Sequence, residues 1–211
     1  MAVGYLAGYT GQGIDAVAIG DNAGLTNQGQ YSIAIGSGAG NSVQGELAVA
    51  IGSTAGLTNQ STAAVAIGSG AGEISQGNSA VAIGEYAGQT TQGTSTVAIG
   101  HVAGNDTQGT NAVAIGAGAG ANTQGEFAVA IGSGAGEISQ GTDSVAIGTL
   151  AGYNSQANSS IVINATGTAL NNTTENSLVV KPVRNGGSSG LPAGFYQMAY
   201  NPTTGEIVYY T

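Results

Sequence analysis

Cysteine and tryptophan are absent from this 211-residue chain, histidine occurs once, and lysine and arginine together number two. Without cysteine there is no disulfide and no thiolate metal site, and the redox compartment stays open. Most catalytic mechanisms draw on His, Cys, Lys or Arg beside carboxylates. With that supply nearly empty, the chain is not expected to be an enzyme, and no cofactor or metal site is predicted. Eleven acidic residues against two basic ones leave a formal charge of −9. That balance disfavours nucleic acid, whose binding rests on cationic side chains, and anionic membrane surfaces. No apolar run approaches the roughly 18 residues of a membrane helix, so no membrane insertion is expected. Met1 is followed by Ala2-Val3-Gly4 with no basic start and no apolar stretch, so no signal peptide is read. Disorder is equally excluded, because hydrophobic residues make up 41% and many are Val and Ile.

What is abundant is glycine, 39 residues, and it is placed periodically. Ile-Gly recurs every 16 residues from Ile19-Gly20 to Ile147-Gly148, with Val3-Gly4 in phase before it and Ile163-Asn164 as the last echo. Ala-Gly keeps the same phase from Ala7-Gly8 to Ala151-Gly152, and Gln-Gly from Gln12-Gly13 to Gln140-Gly141, relaxed at Gln60-Ser61 and Gln156-Ala157. Sixteen residues are too few for a helical hairpin repeat. Val and Ile two apart suit a short strand, and the glycines suit corners. The unit therefore reads as one coil of an all-β parallel β-solenoid. About ten coils stacked at about 4.8 Å make a rod on the order of 50 Å.

The strands read Ala48-Val49-Ala50-Ile51, Ala80-Val81-Ala82-Ile83 and Ala112-Val113-Ala114-Ile115. Alternate side chains face opposite ways, so Val49, Ile51, Val81, Ile83, Val113 and Ile115 form one face and the alanines the other. Neither face is polar, whereas a strand with one wet face should alternate apolar with polar. One face fills the roll, and the other must meet another chain, since monomers rarely expose such a stripe. The pattern leaves open which face turns inward. Gly84 and Gly116 are assigned to corners. Gln76, Gln108 and Gln124 belong to a column whose amides can hydrogen-bond along the axis, with a ligand-contact row as the alternative reading.

Every acid of the repeat array lies outside the Val-Ala-Ile segments, and nine acids with no basic residue precede Gln156. This polar side reads as a solvated face that resists lateral sticking, or alternatively as an acidic binding surface. His101, the only histidine, follows a corner glycine with no base or nucleophile beside it. Gly116-Ala117-Gly118-Ala119-Gly120 lacks the helix and lysine of a phosphate loop. Asp15 and Asp143 share a phase that no other coil repeats, which speaks against a metal column.

The array is bounded at residues 1–157, with a C-terminal capping and trimerisation region at 158–211. All three prolines, both basic residues and five of eleven aromatics fall in that region. Residues 165–177 read as a connection and Ser177–Lys181 as a strand. Asn185–Gly190 reads as a loop, and Gln197–Tyr200 with Glu206–Tyr210 as a β-hairpin. The aromatics there suit a cap, or a sugar-binding tip.

Ser79-Ala80-Val81-Ala82-Ile83-Gly84 and Asp143-Ser144-Val145-Ala146-Ile147-Gly148 resemble the repeat of YadA-type head domains of trimeric autotransporter adhesins. The resemblance extends over roughly residues 2–164. It implies a left-handed parallel β-roll, a homotrimer with a buried threefold core, and an adhesive role at a surface. The fixed 16-residue length and the absence of a neck, stalk and anchor depart from that family. Leu178–Arg184 and Tyr200–Tyr210 resemble segments that precede a self-cleaving chaperone in tail fibres and viral fibre-like proteins, which implies a maturation cut near Thr211. The expected function is thus a fibre or adhesin segment of a virus or phage, a homotrimeric rod supporting host attachment. A host glycan or surface receptor is the candidate partner, and the location is the virion, or alternatively the extracellular cell surface. The alternatives are a bacterial adhesin head, an ice-binding solenoid or a self-assembling filament.

Overall fold

The computed structural model describes residues 1–183 and the backbone of two further strands, Gln197–Tyr200 and Ile207–Tyr210. The chain divides into two compact units, Met1–Lys181 and Pro182–Thr211. In the second unit the two strands pair antiparallel, Gln197 opposite Tyr210 and Tyr200 opposite Ile207. The turn expected between them and the expected loop at 185–190 lie outside the described residues.

The first unit is a parallel β-solenoid with no helix among the described residues. Twelve parallel strands form one sheet, here the Val-Ala-Ile sheet, and the turns between them make about eleven coils. Nine more, from Thr10–Gln12 to Ile138–Gln140, form a second sheet, the Gln sheet. Pairing joins each residue to its equivalent 16 positions on: Val113 to Val129, Ala114 to Ala130, Ile115 to Ile131, Gln108 to Gln124. A one-residue slip would exchange the two faces of a strand, which explains the strict unit length.

The alanines turn inward. Ala18, Ala34, Ala50 and their successors through Ala146 are fully buried, packed on a second column of alanines from Ala23 to Ala151. Size decides this. The interior is narrow: a Cβ added at Gly120, in the turn that leads into the Gln sheet, would sit 2.9 Å from the Gln124 side chain and 3.3 Å from the Ala114 Cβ. Isoleucine does not fit such a gap. Gly116 at the corner has φ +125°, and a Cβ there would lie 2.7 Å from the Gly132 carbonyl oxygen one coil above. Gly84 is equivalent, with φ +128°.

The coiled unit does not end at residue 157. Ile161–Asn164 and Leu178–Lys181 continue the Val-Ala-Ile sheet, so the expected boundary at 157/158 lies inside it. Strand pairing needs backbone in register, which survives here although the Ala-Gly and Gln-Gly pairs are lost. Val162 takes the inward alanine position and is fully buried. The last turn is one residue longer, pairing Ile161 with Leu178, and the extra residue is taken up in 165–177. That stretch does more than connect: Leu170 pairs with Ala151 and covers the end of the alanine core.

Candidate functional site

Two features are built by the repeat, an outer apolar stripe and an inner amide column. The stripe is the outward face of the Val-Ala-Ile sheet. Val49, Val81 and Val113 are half-buried, and Ile51, Ile83 and Ile115 are 36–37% exposed. Ile131, Ile147, Ile161, Ile163, Leu178 and Val180 prolong it toward the last coil. Two columns about 7 Å apart therefore run some 50 Å. No charged residue interrupts the stripe from Val3 to Val180; its far corner is marked only by Lys181. The acids sit on the corners and on the opposite sheet: Asp15, Asp21, Glu46, Glu85, Asp106, Glu126 and Asp143 are all exposed.

The inner column is buried. Gln76, Gln108 and Gln124 are each 1% exposed. Each Nε2 donates across the core to the carbonyl of a valine on the facing sheet: Gln76 to Val65 at 2.8 Å, Gln108 to Val97 at 2.9 Å, Gln124 to Val113 at 2.8 Å. The same nitrogen reaches the Oε1 of the next coil, Gln108 to Gln124 at 3.0 Å and Gln124 to Gln140 at 3.1 Å. One amide thus ties the two sheets together and links successive coils. Its burial and bonding leave it facing the core, not a ligand.

Several structural residues lie outside the sequence expectations. Asn172 occupies the Gln phase one unit after Gln156, is 5% exposed, and bonds Ser177. Asn164 occupies the corner-glycine phase after Gly148. Its Nδ2 donates to the carbonyls of Thr149 at 2.8 Å and Thr168 at 2.7 Å. Asn164 is already in phase as the echo of Ile147-Gly148, though the sequence does not foretell its bonds, and counting 16 onward from Gln156 finds Asn172. The corners also hold non-glycine residues in the left-handed region, among them Tyr31 (φ 57°), Leu47 (φ 60°) and Phe127 (φ 57°). All three are exposed. This conformation is uncommon outside glycine, and nothing in the residue types announced it.

His101 is exposed at a corner. Asp15 and Asp143 stand on the same corner eight coils apart. Among the described residues no three His, Cys, Asp or Glu side chains gather, and no helix is long and apolar enough to cross a membrane.

Coil length, the short apolar strand and its corner glycine together make a recognisable unit. Residues 108–135 match the YadA head domain repeat in two copies. The matched stretch takes in the strands Val113–Ile115 and Val129–Ile131, and the coils on either side pair with these YadA-type repeats residue for residue. Comparisons with curated proteins and with solved structures returned no match.

Proposed function

We propose that the chain is a non-catalytic structural rod that assembles as a homotrimer through the Val/Ile face and supports attachment to a host, as part of a virus or phage fibre. The carrying observation is the uninterrupted apolar stripe, with Ile83 and Ile115 each 37% exposed, whereas the exposed apolar residues elsewhere, such as Tyr31, Leu47 and Phe127, are scattered over the corners. Monomers rarely expose so long and continuous an apolar stripe without a partner. Complete burial of a Val or Ile side chain is worth about 1.5–3 kcal/mol, and these are already half covered by their neighbours along the sheet. Association would gain the remainder at every coil. YadA-type head repeats are associated with trimeric assemblies, and such adhesin domains are extracellular or on the cell surface.

A bacterial cell-surface adhesin head is the second reading, favoured by the match at residues 108–135. An ice-binding face is less well supported. The equivalent outer positions of the Gln sheet carry Thr26, Ser42 and Thr58, then Ile74, Asn122 and Ile138, which is no regular threonine array.

The test is the mass of the full chain in solution by light scattering behind size exclusion. Three chains per particle are expected, and a monomer at micromolar concentration refutes the assembly. Attachment is checked separately by binding of the trimer to a glycan array and to host cells. A trimer that binds neither would be a spacer alone.

A further inference from the structure

The Gln column is interrupted. Amide-to-amide bonds join Gln44, Gln60 and Gln76 at 3.1 Å, and a second run joins Gln92 through Gln156 at 3.0–3.4 Å. Between Gln76 and Gln92 there is none, and the Gln92 Oε1, on a side chain only 3% exposed, has no donor. The bond from Gln28 to Gln44 is missing too, with the Gln44 Oε1 likewise without a donor, but there the strands pair in full, Thr26 with Ser42 and Gln28 with Gln44.

The residue four positions on is also unusual at this junction. Where it is alanine, as at Ala48, Ala64, Ala80, Ala112 and Ala128, the glutamine Nε2 also donates to its carbonyl at 3.2–3.4 Å. At Gln92 that residue is Thr96, which is fully buried and brings a methyl group into a space that otherwise holds alanine or serine. Its hydroxyl donates to the Gly93 carbonyl at 3.1 Å. The Gln92 amide is displaced toward Gly88, closer than its counterparts in other coils, and its bond across the core lengthens to 3.2 Å.

The backbone changes at the same place. The middle residue of the Gln-sheet strand is left-handed at Asn59 and Ser75 and again at Thr123 and Ser139, but not in the two coils between. There the strands shorten to Thr91–Gln92 and Thr107–Gln108, and the junction is paired through Gln76 and Gln92 alone. The junction from Gln108 to Gln124 has an equally short pairing but keeps its amide bond. Only between Gln76 and Gln92 are both weakened. The side-chain bond that does cross here lies outside the core, from Gln89 Nε2 to Glu73 Oε2 at 2.6 Å.

We propose that the solenoid consists of two cooperative blocks joined between Gln76 and Gln92, of which the N-terminal block opens while the C-terminal block stays folded. Repeat arrays are held by nearest-neighbour contacts, so a weak interface divides them. The C-terminal block has the longer amide run and the Leu170 cover, and is the more stable of the two. This inference does not depend on the oligomeric state.

Native-state hydrogen exchange of the full chain, read by mass spectrometry across sub-denaturing urea, tests it. Peptides up to Gln76 should exchange as one unit at lower urea than those beyond Gln92. Thr96→Ala, which installs the residue found in neighbouring coils, should slow exchange of the N-terminal peptides by about tenfold, the scale of one hydrogen bond, and bring the two transitions together. Gln124→Leu should instead create a second boundary inside the C-terminal block. One concerted transition in the unmodified protein, a boundary elsewhere, or no change with Thr96→Ala would overturn the proposal.

Discussion

The Val-Ala-Ile sheet and the Gln sheet close on one interior yet treat the outside in opposite ways. On the first, the outward positions are Val and Ile in nearly every coil. On the second the equivalent positions pass through Thr26, Ser42, Ile74, Asp106 and Asn122 without settling on a type. Inside, the two sheets are equally strict: alanine on one, glutamine on the other. Strictness inside follows from the narrow gap. Strictness outside has no such cause in the packing of the interior, and the proposed assembly through the Val/Ile face would supply one. A solvated face needs only polarity on average.

Adjacent residues on one strand sharpen this most. Ala114→Glu places a carboxylate at a fully buried position with no partner and should cost well over ~3 kcal/mol. Loss of the β-type circular dichroism spectrum would show it. Gln108→Leu removes the bonds to Val97, Ala112 and Gln124 and the acceptor of the Gln92 amide, leaving the buried Gln124 Oε1 unpaired. A loss of about 1–3 kcal/mol in chemical denaturation is expected. Ile115→Glu, one residue from Ala114 but on the outer face, should change the stability of the coil by about 1 kcal/mol or less. Its effect appears instead in light scattering, as loss of the assembled mass. Leu47→Asn, at an exposed left-handed corner, should move the melting transition least, within about 0.5 kcal/mol, because asparagine tolerates that backbone well.

The period, the strand and the corner glycines are all legible in the sequence, because a stacked coil leaves the same residue at the same step. Which face of Val113-Ala114-Ile115 turns inward is not, since both faces are apolar and the answer depends on the spacing between sheets. The amide column at Gln76, Gln108 and Gln124 was legible as a column, but its bonds to the facing valines were not, because they join residues eleven positions apart. The last coils escaped for another reason. Composition changes near Tyr153 while backbone register persists to Lys181, so a boundary drawn on residue types falls too early. Val162 and Leu170 show the substitution at work: larger side chains fill the end of the roll as the alanine-glycine pairs disappear.

The register of each residue on its own equivalent one unit away also makes length a quantity that inheritance can adjust. A duplicated or deleted copy of the 16-residue unit would meet neighbours that offer it the same strand positions to pair with. Each such event would raise or lower the reach of the molecule by one increment of about 4.8 Å, with no new interface to invent.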